Sequence, residues 1–187
     1  MTILAVRHEK HEGLGLLEKF FKQEKVPYRY LDVFEDPIQN VDLAAASGIV
    51  VLGGSMGVYE TAKFPFLSRE IEILKEALER QVPTLGICLG SQLLAAAGGT
   101  RVFKGPKGKE VGWYPVRMRS GASEDPLLKH CPAEPMVFHW HGDTFELPEG
   151  ASLLASSEKY PHQAIRLGKK AWGLQFHIVM TESMIHD

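Results

Sequence analysis

Cys88 sits at a corner. The apolar run Val82-Pro83-Thr84-Leu85-Gly86-Ile87 precedes it and the small-residue stretch Leu89-Gly90-Ser91-Gln92 follows. A strand that turns sharply into a helix holds the corner residue in a strained backbone conformation, and the positions two before and two after must then be small. Gly86 and Gly90 meet that requirement, so Cys88 reads as a nucleophile on a strand-turn-helix elbow. A helix starting near Leu89 aims free amides and a positive dipole end at the sulfur, which favours thiolate over thiol. The alternative is a structural cysteine in a buried turn, which needs neither glycine.

A nucleophilic thiol needs a proton acceptor, and the chain has eight histidines. His8 and His11 lie near the start among Glu9, Lys10 and Glu12; His130, His162 and His186 fall in turns or beside the last residue. His177 differs, because it closes the strand-like run Ala171-Trp172-Gly173-Leu174-Gln175-Phe176. Open α/β sheets place their chemistry at the carboxyl ends of strands. A capping or solvated strand-end histidine is the other reading of that position.

With these motifs the chain resembles the class I glutamine amidotransferases. The Gly-Ile-Cys-Leu-Gly-Ser-Gln elbow at 86–92 and the Gly-Leu-Gln-Phe-His strand at 173–177 match the two catalytic signatures of that family, in the right order. The segment 51–59, with Gly53 and Gly54, is similar to the family's oxyanion loop, and His139-Trp140-His141-Gly142-Asp143 to its glutamine-pocket loop. The resemblance runs from Ile3 to about Thr181 and is nearest to small stand-alone members similar to the amidotransferase half of GMP synthase. It implies Cys88 and His177 as catalytic pair and the backbone amides of Gly54 and Leu89 as oxyanion donors. Gly53, Gln92, His141, Gly142 and Asp143 become the expected substrate contacts, and no metal or cofactor is implied.

One departure stands out. The family pattern places a glutamate two residues after the histidine to orient the imidazole, and this chain has His177-Ile178-Val179. Valine neither accepts a hydrogen bond nor carries charge. Glu182 is the nearest carboxylate downstream. Loss of the orienting acid costs about 10⁴ in serine triads, but thiolate and imidazolium pair directly, so the expectation is reduced activity that a Val179→Glu change raises.

Three readings follow. The first is an amidotransferase domain that hydrolyses glutamine through a cysteine thioester and passes ammonia to a synthase on another chain. The second is a γ-glutamyl peptide or amide hydrolase, since such substrates share the acyl half of glutamine. The third is a catalytically impaired relative, for which Val179 speaks and the intact Cys88 and His177 speak against.

The elements that must position these residues alternate. Ile3–Val6, Tyr28–Val33, Ile49–Leu52 and Thr84–Ile87 read as strands. Helical periodicity covers Leu14–Glu24, Leu67–Arg80 and Ser91–Ala97, with a short Ala-rich helix near Leu43. Alternating strands and helices imply an α/β fold, doubly wound, with a mostly parallel central sheet and helices on both faces. By resemblance this is flavodoxin-like. Beyond Gly98-Gly99, the runs Val111–Met118, Met136–His139, Ser152–Ser156, Gln163–Arg166 and Ala171–His177 predict a small antiparallel sheet and a return to the main one.

With 187 residues, 44% hydrophobic, the chain can bury one core, so residues 1–187 are expected to be a single domain. A net charge of −2 offers no basic surplus for nucleic acid, and no run of about twenty apolar residues suits a membrane span. Two cysteines do not make a disulfide scaffold, so a reducing cytoplasm is the expected setting. Only ten residues follow His177, so the closing helix from Thr181 to Asp187 is expected to be truncated.

Overall fold

A computed structural model describes residues 2–35, 41–181 and 184. The first half runs β1 (Thr2–Arg7), α1 (Leu16–Gln23), β2 (Tyr28–Asp32), β3 (Ala46–Val51), α2 (Phe66–Glu79), β4 (Thr84–Ile87) and α3 (Leu89–Ala97). Side chains alternate across a strand, and here the two sets feed different cores. Val6, Ile49 and Val51 pack with Leu67 and Leu74 of α2 and Leu93 and Leu94 of α3. Ala5, Val50, Leu52 and Ile87 pack with Phe21 of α1. The sheet therefore carries helices on both faces.

The second half adds β5 (Val102–Lys104), β6 (Glu110–Pro115), β7 (Arg117–Met118), a 3-10 turn, β8 (Met136–His141), β9 (Asp143–Phe145), β10 (Ser152–Ser156), β11 (Ala164–Leu167) and β12 (Ala171–Leu174). The main sheet has eight strands in the order β2-β1-β3-β4-β12-β11-β10-β7. The strands from β2 to β12 in that order are parallel, and the remaining three are antiparallel. Two antiparallel ribbons, β5-β9 and β6-β8, stand beside the sheet. A doubly wound α/β fold with added antiparallel strands is the architecture that the alternating pattern predicts.

Two local expectations are corrected. No helix forms near Leu43: the Asp42 carboxylate accepts hydrogen bonds from the amides of Ala44 and Ala45, a local turn that competes with helix, and β3 begins at Ala46. The last strand stops at Leu174, and His177 lies three residues beyond it, bridged to Phe138 through its own amide. The ribbon strand β9 and its partner β5 had no sequence signal beyond three residues each. The expected closing helix, Glu182 included, lies outside the described residues except for Thr181 and Met184.

Candidate active site

The elbow has the geometry its glycines imply. Cys88 adopts φ 52° and ψ −108°, a conformation that L-residues avoid. A β-carbon on Gly86 would meet the Gly90 carbonyl oxygen at 2.3 Å, and one on Gly90 would meet the Val51 carbonyl oxygen at 2.1 Å. Only glycine lets β4, α3 and β3 close on each other here. The corner is over-determined by hydrogen bonds. Cys88 donates its amide to the Leu174 carbonyl at 2.8 Å, while its own carbonyl accepts from Ser91 Oγ at 2.7 Å and from the Gln92 amide at 3.2 Å.

The sulfur is buried at the floor of a cleft. Its neighbours are the Trp140 carbonyl at 3.6 Å and Gln175 Nε2 at 3.9 Å. Burial pushes the Cys88 thiol up to about 12; Glu12 and Asp143 push the same way, and only the Leu89 amide favours the thiolate. Burial and the neighbouring His141 push the His177 imidazole down to about 4. The resting pair is thus neutral thiol and neutral imidazole, which corrects the expectation of a dipole-stabilised thiolate: desolvation outweighs the helix end. The Trp140 backbone opposes the downward shift of His177, and among the described residues neither ring nitrogen of His177 meets a partner at hydrogen-bond geometry.

The oxyanion segment follows β3. Gly54 and Leu89 both border the cleft next to Cys88. A β-carbon on Gly54 would press Met56 Sδ at 2.7 Å and Leu89 Cδ2 at 2.9 Å. Gly53 is anchored from behind, because its carbonyl accepts from His8 Nδ1 at 2.9 Å while His8 Nε2 meets Glu70 Oε2 at 2.9 Å. His8 was set aside on position alone, yet it is buried and ties the loop to α2. Its alternation with Val6 on β1 was the available signal. Val179 is buried in the apolar cluster with Leu14 and Cys88, and its carbonyl accepts from the Leu16 amide.

A second acid was missed. Glu12, between β1 and α1, lines the cleft with Cys88 and His177. A β-carbon on Gly53 would lie 2.9 Å from Glu12 Oε2 and 3.3 Å from His177 Cε1, so carboxylate and imidazole both approach Gly53 more closely than a methyl group would allow. Burial raises the Glu12 carboxyl above its ordinary range, with Glu9 adding to it and His11 opposing.

The far wall holds the expected pocket residues. Gln92, His141, Gly142 and Asp143 all border the cleft, whose volume is about 700 Å³. Gln92 Nε2 donates to Gln175 Oε1 at 3.2 Å, which couples it through Gln175 to the sulfur. Tyr59 and Asp143 both border the cleft; burial first, then the Asp143 carboxylate, pushes the Tyr59 phenol up to about 12. Behind this wall Glu110, His139 and His141 converge, each offering one atom within 4.8 Å of the others. This is the set of described residues that could hold a metal.

The family model for glutamine amidotransferase class-I matches residues 20–178. A crystal structure of a glutamine amidotransferase from Thermotoga maritima superposes with TM-score 0.93 at 40% identity, covering 100% of this chain and 79% of that one. The glutamine amidotransferase-like protein YfeJ of Salmonella typhimurium is 29% identical over 97% of this chain and 77% of its own length. The glutamine-hydrolysing GMP synthase of Thermosipho africanus is 34% identical over 91% of this chain, which spans 30% of that protein's length.

Proposed function

The chain belongs to the class-I glutamine amidotransferases, a family of glutamine-hydrolysing enzymes, and we propose that Cys88 and His177 carry out that hydrolysis here. Cys88 Sγ attacks the side-chain amide carbon of glutamine, and its proton passes to His177. The amides of Leu89 and Gly54 receive the negative oxygen of the tetrahedral intermediate. His177 returns the proton to the departing nitrogen, ammonia leaves, and a thioester remains. Water, losing a proton to His177, then releases glutamate and restores the thiol. A thiol at about 12 does not give its proton to an imidazole at about 4 in the resting site. Proton transfer therefore runs together with attack, when the developing charges have partners.

The observation that carries this reading is the strained Cys88 held at the floor of the cleft beside the Leu89 amide and His177. Glu12 serves as the acid that the family pattern puts at position 179, because its carboxylate and the His177 ring both crowd the same point beside Gly53 and line the same cleft. Gln92, His141, Gly142 and Asp143 bind the amino-acid end of the substrate. The ammonia acceptor is a synthase on another chain, a role suggested by the GMP synthases, of which this chain matches only a part.

The test is mass analysis of the protein after exposure to a glutamine-shaped diazo-ketone, with glutamine as competitor. Cys88 is expected to be labelled and protected by glutamine, while Cys131, which is exposed, is not selectively labelled. Equal labelling of both cysteines, or none, rejects the reading. One observation favours γ-glutamyl amides as further substrates. The cleft falls within the roughly 300–1,000 Å³ typical of sites for drug-sized ligands and exceeds what a single amino acid fills. Turnover of a γ-glutamyl dipeptide by the isolated chain separates the two.

A further inference from the structure

We infer that Glu110, His139 and His141 form a binding site for one divalent transition-metal ion, in the wall behind the cleft. Strand register brings them together. Glu110 of β6 pairs directly with His141 of β8, and His139 is two residues from His141 on the same strand, so all three project from one face of the ribbon. Glu110 Oε2 lies 3.0 Å from His141 Nε2 and 3.7 Å from His139 Nδ1. All three side chains are buried, His139 completely.

Hydrogen bonding leaves the inward nitrogens of the two histidines without partners of hydrogen-bond geometry, while Glu110 Oε2 keeps a lone pair beyond the one that Gln163 uses. His141 Nδ1 faces the Asp143 carbonyl at 3.0 Å and must donate to it. With the proton there, Nε2 presents a lone pair to a carboxylate oxygen, and two acceptors confront each other. A cation between them converts that repulsion into coordination. No nitrogen of His139, nor Nε2 of His141, has a partner of hydrogen-bond geometry, although the Tyr114 backbone and the Glu110 carboxylate lie close enough to favour a proton on His139. The outer contacts are those that orient ligands: a backbone carbonyl on His141, Ser157 Oγ on Glu110 Oε1 at 2.8 Å, and Gln163 Nε2 on Glu110 Oε2 at 2.7 Å.

Two imidazoles and one carboxylate suit zinc and its neighbours, whereas calcium and magnesium seek more oxygen ligands. The competing arrangement places a second proton on His141 and pairs it with Glu110. A bound ion would clamp the β6-β8 ribbon to the segment 157–163 and so brace the wall formed by His141, Gly142 and Asp143. This site does not depend on the proposed chemistry at Cys88.

Cobalt(II) is the probe. The full chain, stripped with a chelator, is titrated with Co²⁺ and then with Zn²⁺. One equivalent of Co²⁺ is expected to give visible d–d absorption that Zn²⁺ abolishes, and Cys88→Ser is expected to leave both unchanged. His139→Ala and Glu110→Gln should each weaken binding by more than ~100-fold, above the effect of losing an outer partner. X-ray absorption of the zinc-loaded wild-type chain serves where a variant does not fold, and should show nitrogen and oxygen neighbours only. Absence of stoichiometric binding, unchanged affinity in a folded His139→Ala, or a sulfur neighbour overturns the assignment.

Discussion

In the proposed mechanism Glu12 takes the place of the acid absent from position 179. The imidazole must hold a proton during attack, and an anion beside it stabilises that state, whereas Val179 supplies only apolar surface. Glu12→Gln is expected to lower kcat for glutamine by about 10- to 100-fold with little change in KM, the scale of a misoriented catalytic group. A rise in KM alone would make Glu12 a substrate contact. Adding Val179→Glu to Glu12→Gln is expected to restore part of the lost kcat, which a merely structural role for Glu12 would not allow. The pH profile gives a second readout. Glu12 acts as an anion, so its activity is present above its folded value and lost as pH falls through it. That value is raised, while His177 protonates only near 4. The groups around Glu12 are His8, Glu9 and His11 on its own loop and Cys88 and His177 across the cleft. The acid limb of kcat/KM for the wild type should therefore lie above the ordinary glutamate range and move toward 4 in Glu12→Gln.

At the level of elements, the site is a set of strand ends clamped from behind. His8 extends β1 and joins the Gly53 carbonyl to Glu70 of α2, a buried pair remote from solvent. Burial lowers His8, but Glu70 and the Gly53 carbonyl outweigh it and hold the imidazole above its ordinary value of 6.5. A raised folded value means stability that is complete below the unfolded value and lost as pH rises through the folded one. His8→Leu should cost about 3–5 kcal/mol by stranding the Glu70 carboxylate. Denaturant unfolding should show the gap from wild type widest below pH 6.5 and narrowing as pH rises, and a gap independent of pH would rule out a charged pair. Much of this scale is legible in the sequence. Thr84–Ile87 is found where the apolar run predicts it, and Gly86 and Gly90 announce the elbow because a β-carbon at either would strike backbone. Glu12 was not legible, since its role comes from which strand ends the sheet order makes neighbours, and local composition only marks it as polar; for His8 the two-residue spacing from Val6 marks the buried face but not the tie to Glu70. Glu110 is likewise joined to His141 by register alone, although the His-x-His spacing on a strand was visible.

Over the whole molecule, one sheet runs through both halves of the sequence. β12, from the last part of the chain, inserts beside β4, and its pairing partner on the other side is the antiparallel β11. The apolar clusters are shared in the same way. Phe145, Ile165 and Leu167 from the second half pack with α2 and α3, and Leu85 of β4 touches both clusters on the opposite face. Among the described residues no helix is long and apolar enough to cross a membrane. Because neither half keeps a complete core when the other is removed, we propose that residues 1–187 unfold as a single unit. Urea transitions followed by tryptophan fluorescence and by far-ultraviolet circular dichroism should coincide. The three tryptophans, Trp113, Trp140 and Trp172, all lie in the second half, whereas α1, α2 and α3 lie in the first, so the two signals weight different parts of the chain. A fluorescence midpoint well below that of the helical signal would mean that the ribbon β6-β8, which carries Trp113 and Trp140, opens before the sheet. The cleft wall would then be a separately stable element, and the catalytic floor at Cys88 would outlast its substrate pocket.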